Sequence, residues 1–171
     1  MIRTRTLTVV AATAVLAGCG GSSNSTSNTA SPANTASSAT GASASRAGFI
    51  AKADALCQST HLLQSQLGRE AKGLSVAKLP PILHKQASIA TNLAAKLHAL
   101  QAPAGDQVPV GRFIGAVRLL GTLSTAAANS IQAGHTIAVE GLKFKLGSAR
   151  QQETALGQGY GFRVCASGKS F

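Results

Sequence analysis

Three cysteines, four histidines and five acids are the residues through which this 171-residue chain could do chemistry. Their spacing argues against most of it. His84 and His98 fall on one expected helix, and fourteen residues at a helical rise set them ~20 Å apart, too far to share a metal. His61 and His135 fall in other segments. No Glu-x-x-His pair occurs, which a di-metal helical bundle would need. No Cys-x-x-Cys-His occurs for covalent haem. The acids Asp54, Glu70, Asp106, Glu140 and Glu153 never stand three or four residues apart, so no two share a helical face at close range. Asp54 is expected as a helix-surface charge or in a salt bridge with a nearby lysine. The glycines of Gly157-Gln158-Gly159-Tyr160-Gly161 suggest a phosphate loop, but they follow a helical segment and no Lys-Ser/Thr completes the pattern. A helix-ending turn is the expectation there. These residues point away from an enzyme and to no cofactor.

The first cysteine stands in a different context. Arg3 and Arg5 give a short positive start, and Leu7 to Leu16 form a mostly apolar run. That run has the length of a signal-peptide core and falls short of the ~20 apolar residues that span a bilayer. Leu16-Ala17-Gly18-Cys19 follows and looks like a lipobox. The small residues fit a narrow peptidase site, and the thiol is the nucleophile that accepts a diacylglycerol. Residues 1–18 are thus expected to be a lipoprotein signal peptide, with Cys19 the lipid-carrying first residue of the mature chain. Two or more acyl chains anchor stably where one would be marginal. The expected location is the extracytoplasmic face of the cell membrane.

Residues 20–45 are almost entirely Ser, Thr, Asn, Ala and Gly. Such a stretch cannot bury enough surface to offset the entropy of ordering its backbone, so 19–45 is expected to be a lipidated cysteine followed by a disordered tether. A flexible coil of this length spans on the order of 25–30 Å. The Ser/Thr cluster also suits O-glycosylation.

Residues 46–171 remain, one ordinary domain. Aromatics are scarce, with five Phe, one Tyr and no Trp, while Ala and Leu dominate. Such a core favours close-packed helices. Without Arg3 and Arg5 the chain has 14 basic residues against five acidic ones, all beyond residue 45. The bases are spread out. Arg112 and Arg118 lie in one segment, and Lys143, Lys145 and Arg150 in another. They are the candidate residues for binding a polyanion, such as an anionic envelope polymer or lipid headgroups. The alternative is a solvated basic surface. Nucleic acid is disfavoured because stacking aromatics are lacking.

Four segments repeat apolar residues at spacings of three and four. Over about 46–72 the stripe is Phe49, Ala53, Leu56, Thr60, Leu63 and Leu67. Over about 80–101, opened by Pro80 and Pro81, it is Ile82, Gln86, Ile89, Leu93, Leu97 and Leu100. Over about 109–133 it is Phe113, Val117, Leu120, Ser124, Ala127 and Ile131, widened by Leu119 and Leu123. Over about 136–158 it is Val139, Leu142, Leu146, Ala149 and Leu156, interrupted by Glu153. Gly141 and Gly147 in the last segment cost roughly 1 kcal/mol each relative to Ala. They imply either close helix packing or an irregular helix. The expected fold is all-α, a single antiparallel four-helix bundle.

With Cys19 assigned to lipid, Cys57 and Cys165 are two thiols in an oxidising compartment, and a disulfide is the simple expectation. An up-down bundle brings the start of helix one beside the end of helix four. The closed loop of about 110 residues would contribute at most ~4–5 kcal/mol. A metal-binding or redox pair is the alternative, but it lacks a Cys-x-x-Cys and a nearby His.

Three stretches carry a resemblance. They are Phe49-Ile50-Ala51-Lys52-Ala53-Asp54-Ala55-Leu56-Cys57 after the tether, Leu100-Gln101-Ala102-Pro103-Ala104, and Tyr160-Gly161-Phe162-Arg163-Val164-Cys165. Together they resemble small helical lipoproteins of high-GC Gram-positive bacteria. The resemblance implies a paired Cys57 and Cys165 and an envelope location, and it implies no activity. The function expected is a non-catalytic module that binds a partner or a polyanion. The alternative is a carrier of a small apolar ligand held between the helices, which would require a cavity of ~300 Å³ or more.

Overall fold

Ser45 caps the first helix, its hydroxyl accepting from the Gly48 N–H at 3.2 Å. A computed structural model of the protein describes residues 45–168. The expected signal peptide, Cys19 and the expected tether up to residue 44 lie outside the described residues. Helix α1 runs Arg46–Ala71, α2 Pro80–Ala99, α3 Gln107–Gln132 and α4 Thr136–Tyr160, with one 3-10 turn at Val76–Lys78. The fold is all-α, a helical bundle, with no strand among the described residues. A residue in the left-handed region follows each helix, Gly73 (φ 80°) after α1 and the non-glycine Gln101 (φ 53°) after α2. Gly134 (φ 72°) and Gly161 (φ 104°) close α3 and α4. At α4 the Gly161 N–H reaches the Gln158 carbonyl and the Phe162 N–H reaches that of Gly157, the paired bonds of a Schellman motif. The Gly157–Gly161 stretch is therefore a helix end, as expected.

Helix α3 packs along both α2 and α4, and α1 packs along α2. Small residues set the distances. A Cβ on Gly121 would lie 3.2 Å from the Ala87 carbonyl and 3.4 Å from the Ala90 Cβ, so α2 and α3 touch backbone to backbone there. A Cβ on Gly157 would lie 3.0 Å from the Ala166 Cβ and 3.2 Å from the Phe113 ring. The close-packing role considered for Gly141 and Gly147 falls instead to Gly121 and Gly157. Gly141 and Gly147 face open space, and α4 runs through both without a break.

The core concentrates at one end of the bundle. Phe49, Phe113, Tyr160 and Phe162 form a single aromatic cluster, with Phe162 at 4.8 Å from Phe113 and 4.9 Å from Tyr160, centroid to centroid. Ala90, Ala94, Leu93 and Leu97 of α2 complete it. The Tyr160 hydroxyl donates to Asp106 at 2.7 Å, while Arg46 lies over its ring and donates to its backbone carbonyl at 2.6 Å. Burial and the Asp106 carboxylate push the phenol up to about 12, so it stays a donor across the physiological range.

The chain end is pinned to α1. Asp54 is neither a free surface charge nor paired with a lysine, as the sequence suggested. Its carboxylate accepts from the backbone N–H groups of Arg163, Val164 and Cys165, each at 3.0 Å. Beside it Cys57 and Cys165 form a disulfide.

The apolar stripes hold with two corrections. Leu63 is 52 % exposed and Leu119 is also exposed, whereas His61 and Gln64 are buried on α1. Helix α1 meets the bundle through a face rotated toward Cys57, His61 and Gln64, because the disulfide and the tail fix its rotation.

Two sets of variants test this packing. D54A removes an acceptor shared by three N–H groups and should cost about 2–4 kcal/mol in urea denaturation. G141A should stabilise by about 0.5–1 kcal/mol, since it adds helix propensity in open space, whereas G157A should destabilise by about 1–2 kcal/mol through overpacking.

Candidate functional site

The end of the bundle away from the aromatic cluster is not closed. Among the described side chains of α4 the buried ones lie from Ala149 onward, and Val139, Leu142 and Leu146 in its first half are only half-buried. They form the stripe expected from the sequence, and among the described residues no helix covers them. Across from them stand Val76 and Ala77 of the 3-10 turn, Leu79 and Leu83 where α2 begins, and Ala127 and Ile131 near the end of α3. Between these walls runs an open groove of about 670 Å³, lined by apolar side chains. Polar groups are confined to one side: His135, Glu140 and Lys143, with Lys143 Nζ 3.4 Å from Glu140 Oε2. The groove exists because the α1–α2 connection spans 72–79 as extended chain and a short turn, too thin to fill the space a full helix would occupy. Its volume lies within the range of small-molecule sites. An apolar body would lose its water contact against the lining, and a polar end would remain at Lys143 and His135.

A second feature is a buried polar seam between α1 and α4. Gln64 and Arg150 line a smaller cavity of about 200 Å³, together with Gln86 of α2. Glu153, one turn beyond Arg150, is only 2 % exposed. Burial, partly opposed by the Arg150 guanidinium, pushes its carboxyl up to about 7. Burial likewise lowers Arg150, whose Nε is buried without a hydrogen-bond partner. Glu153 is thus more than a polar gap in a stripe. Among the described residues no three of His, Cys, Asp and Glu are grouped as metal ligands would be.

The residues singled out from the sequence separate. Cys19 lies outside the described residues. Cys57 and Cys165 are joined. Arg112 and Arg118 are exposed on α3 and Lys145 is exposed on α4. Arg112 sits beside Gln152 and Leu156, while Lys143 sits at the groove near His135, so the fold does not gather them into one patch. Arg150 turns inward and is half-buried. It belongs to the seam with Glu153 and not to an outer basic surface, because its position on α4 faces α1. The groove walls from α2 and the 3-10 turn were not foreseen as a site. The signal was present in Val76 and Leu79, apolar residues in a short link, and in Leu83 at the start of α2, which the helical stripe does not include.

Glu153 generates a pH prediction. Its folded value lies above the ordinary 4.5, so between pH 4.5 and 7 the folded protein holds a proton that the unfolded chain has released. Stability from this group is fully present below about 4.5 and is lost as pH rises through about 7, by on the order of 3 kcal/mol. E153Q should remove that slope. Urea midpoints at pH 5 and pH 8 should differ less in E153Q than in the parent, with the variant gaining at pH 8. No family model, curated protein or solved structure matches this chain.

Proposed function

We propose that this protein is a lipoprotein anchored through Cys19 at the extracytoplasmic face of the membrane, and that its helical domain is a non-catalytic binding module carrying an apolar ligand in the open groove. The groove itself supports this reading: about 670 Å³ of space walled by Val76, Leu79, Leu83, Ile131, Val139 and Leu146. The lining fits an amphiphile with an apolar body, whose polar end would meet Lys143 and His135 on the rim. Burying such a body contributes roughly 25 cal/mol per Å² removed from water. Among the described residues no helix is long and apolar enough to cross a membrane.

A second reading, binding of an anionic envelope polymer, draws support from the charge balance. The few acids are already engaged: Asp54 by the tail, Asp106 by Tyr160, Glu70 by Lys85 at 2.9 Å and Glu140 by Lys143, while Glu153 is buried. Arg112, Arg118 and Lys145 are left exposed over a basic domain. Salt separates the two modes, since attraction between exposed charges falls off within about 8 Å at physiological ionic strength.

Native and denaturing mass spectrometry of the protein extracted from its membrane tests the reading. The expected denatured mass carries a diacylglycerol adduct and lacks the two hydrogens lost to the Cys57–Cys165 bond; the expected native mass carries a bound amphiphile. A titration with an environment-sensitive apolar dye tests the groove directly. V139D and L146D place a charge in its wall and should weaken the dye by about tenfold or more, since a buried unpaired charge is costly. Equal dye binding by parent and variants, with helicity preserved, would reject the groove as the site.

A further inference from the structure

Ile137 and Phe144 are exposed by 90 % and 78 %, the two most exposed large apolar residues described. They lie seven residues apart on α4, about two turns, and so project from the same face. Val139 and Leu146 are also seven apart, but they project from the opposite face and line the groove. The first half of α4 is therefore apolar on both sides. One side faces the groove and the other faces solvent.

The outward side has a specific chemistry. Phe144 stands between Lys143 and Lys145 in the chain, and all three are exposed. The protein has only six aromatic residues. Four of them make the core cluster, and Phe144 is placed where it contributes nothing to folding. Glu140, three residues after Ile137 and four before Phe144, is exposed on the same side and is paired with Lys143 at 3.4 Å, which leaves Lys145 as the exposed cation beside the apolar pair. Such a pair suits the boundary of an anionic bilayer: the ring and the Ile137 side chain enter the acyl region by a few ångströms, while the Lys145 stem extends along them and its ammonium group reaches the phosphates. The surplus of basic over acidic residues adds a longer-range attraction of the same sign. A second copy of the chain would have to bring two like-charged faces together, so the charge favours lipid over self-association.

We propose that the outer face of the first half of α4, through Ile137, Phe144 and Lys145, docks on an anionic membrane surface. Docking there sets the α4 wall of the groove at the lipid boundary. The contact uses the helix face opposite the groove, so it stands or falls independently of what the groove binds.

The protein has no Trp, so F144W supplies a single reporter at the contact. The full lipidated chain carrying F144W is reconstituted in vesicles of phosphatidylcholine alone, or with phosphatidylglycerol added, each with and without brominated acyl chains. The expected result is a blue-shifted emission, quenched by brominated lipid in the phosphatidylglycerol vesicles and relaxed by high salt. Unchanged emission with phosphatidylglycerol would overturn the proposal, because a domain held only by its tether keeps residue 144 in water. A blue shift that depends on protein concentration without vesicles would also overturn it, in favour of a second copy. K145E in the same background should reduce quenching several-fold. I137S/F144S should abolish docking yet bind the apolar dye as the parent does, while V139D should lose the dye and keep docking.

Discussion

The carboxylate of Asp54 holds three consecutive backbone N–H groups of the tail, and most of the ordered structure is arranged around that hold. A carboxylate accepting several N–H bonds is a strong acceptor in a compact space, and its hydrogen bonds exceed neutral ones in strength. It fixes Arg163, Val164 and Cys165 against α1, which places the Cys165 sulfur at Cys57 and drives Phe162 into the centre of the aromatic cluster. Phe162 in turn sets Tyr160, whose hydroxyl secures Asp106 just ahead of α3. One side chain on the first helix thereby aligns residues 160–165 and the entry to the third helix.

This concentration of contacts leaves the molecule uneven. At the tail end, disulfide, aromatic rings and charge-assisted hydrogen bonds overlap within a few turns. At the other end none of the described side chains in about the first three turns of α4 is buried, and the α1–α2 link closes the bundle with a thin strap. A rigid half and an open half suit a binding role. The first keeps the helices in register, while the second leaves apolar surface uncovered and free to meet a ligand. The seam of Gln64, Arg150 and Glu153 lies between the two, a polar layer in a bundle otherwise filled by Ala, Leu and Phe. Such layers generally weaken packing relative to apolar ones while constraining how helices can slide past each other.

Much of the fold was legible in the chain. The four helices lie where a period near 3.6 placed them, and Pro80, Gly73, Gly134 and Gly161 mark their ends because each has a local backbone reason to do so. The Cys57–Cys165 bond also followed from composition and order along the chain. What stayed hidden depends on long-range geometry. Asp54 meets backbone groups over 100 residues away, and nothing local to Asp54 announces that partner. Leu63 continues a perfect spacing yet faces solvent, since the tail rotates α1 about its axis. Arg150 reads as one more surface cation until α1 is seen beside it. The groove was visible only in part: the Val139–Leu146 stripe is plain, but its lack of a covering helix is a property of the assembly and of a short link.

The Cys57–Cys165 bond has a topological consequence. It closes the chain into a ring that contains the second half of α1, all of α2, α3 and α4, and the beginning of the tail. Residues before Cys57 hang from that ring as a single strand. A protease that cuts anywhere between residues 58 and 164 therefore opens the ring without dividing the molecule, and both pieces stay joined to the strand that leads back to the N-terminus. Shedding of the domain requires either a cut on the N-terminal side of Cys57 or a cut within the ring followed by reduction. The exposed loops can be nicked without loss of the protein from wherever its N-terminus is held.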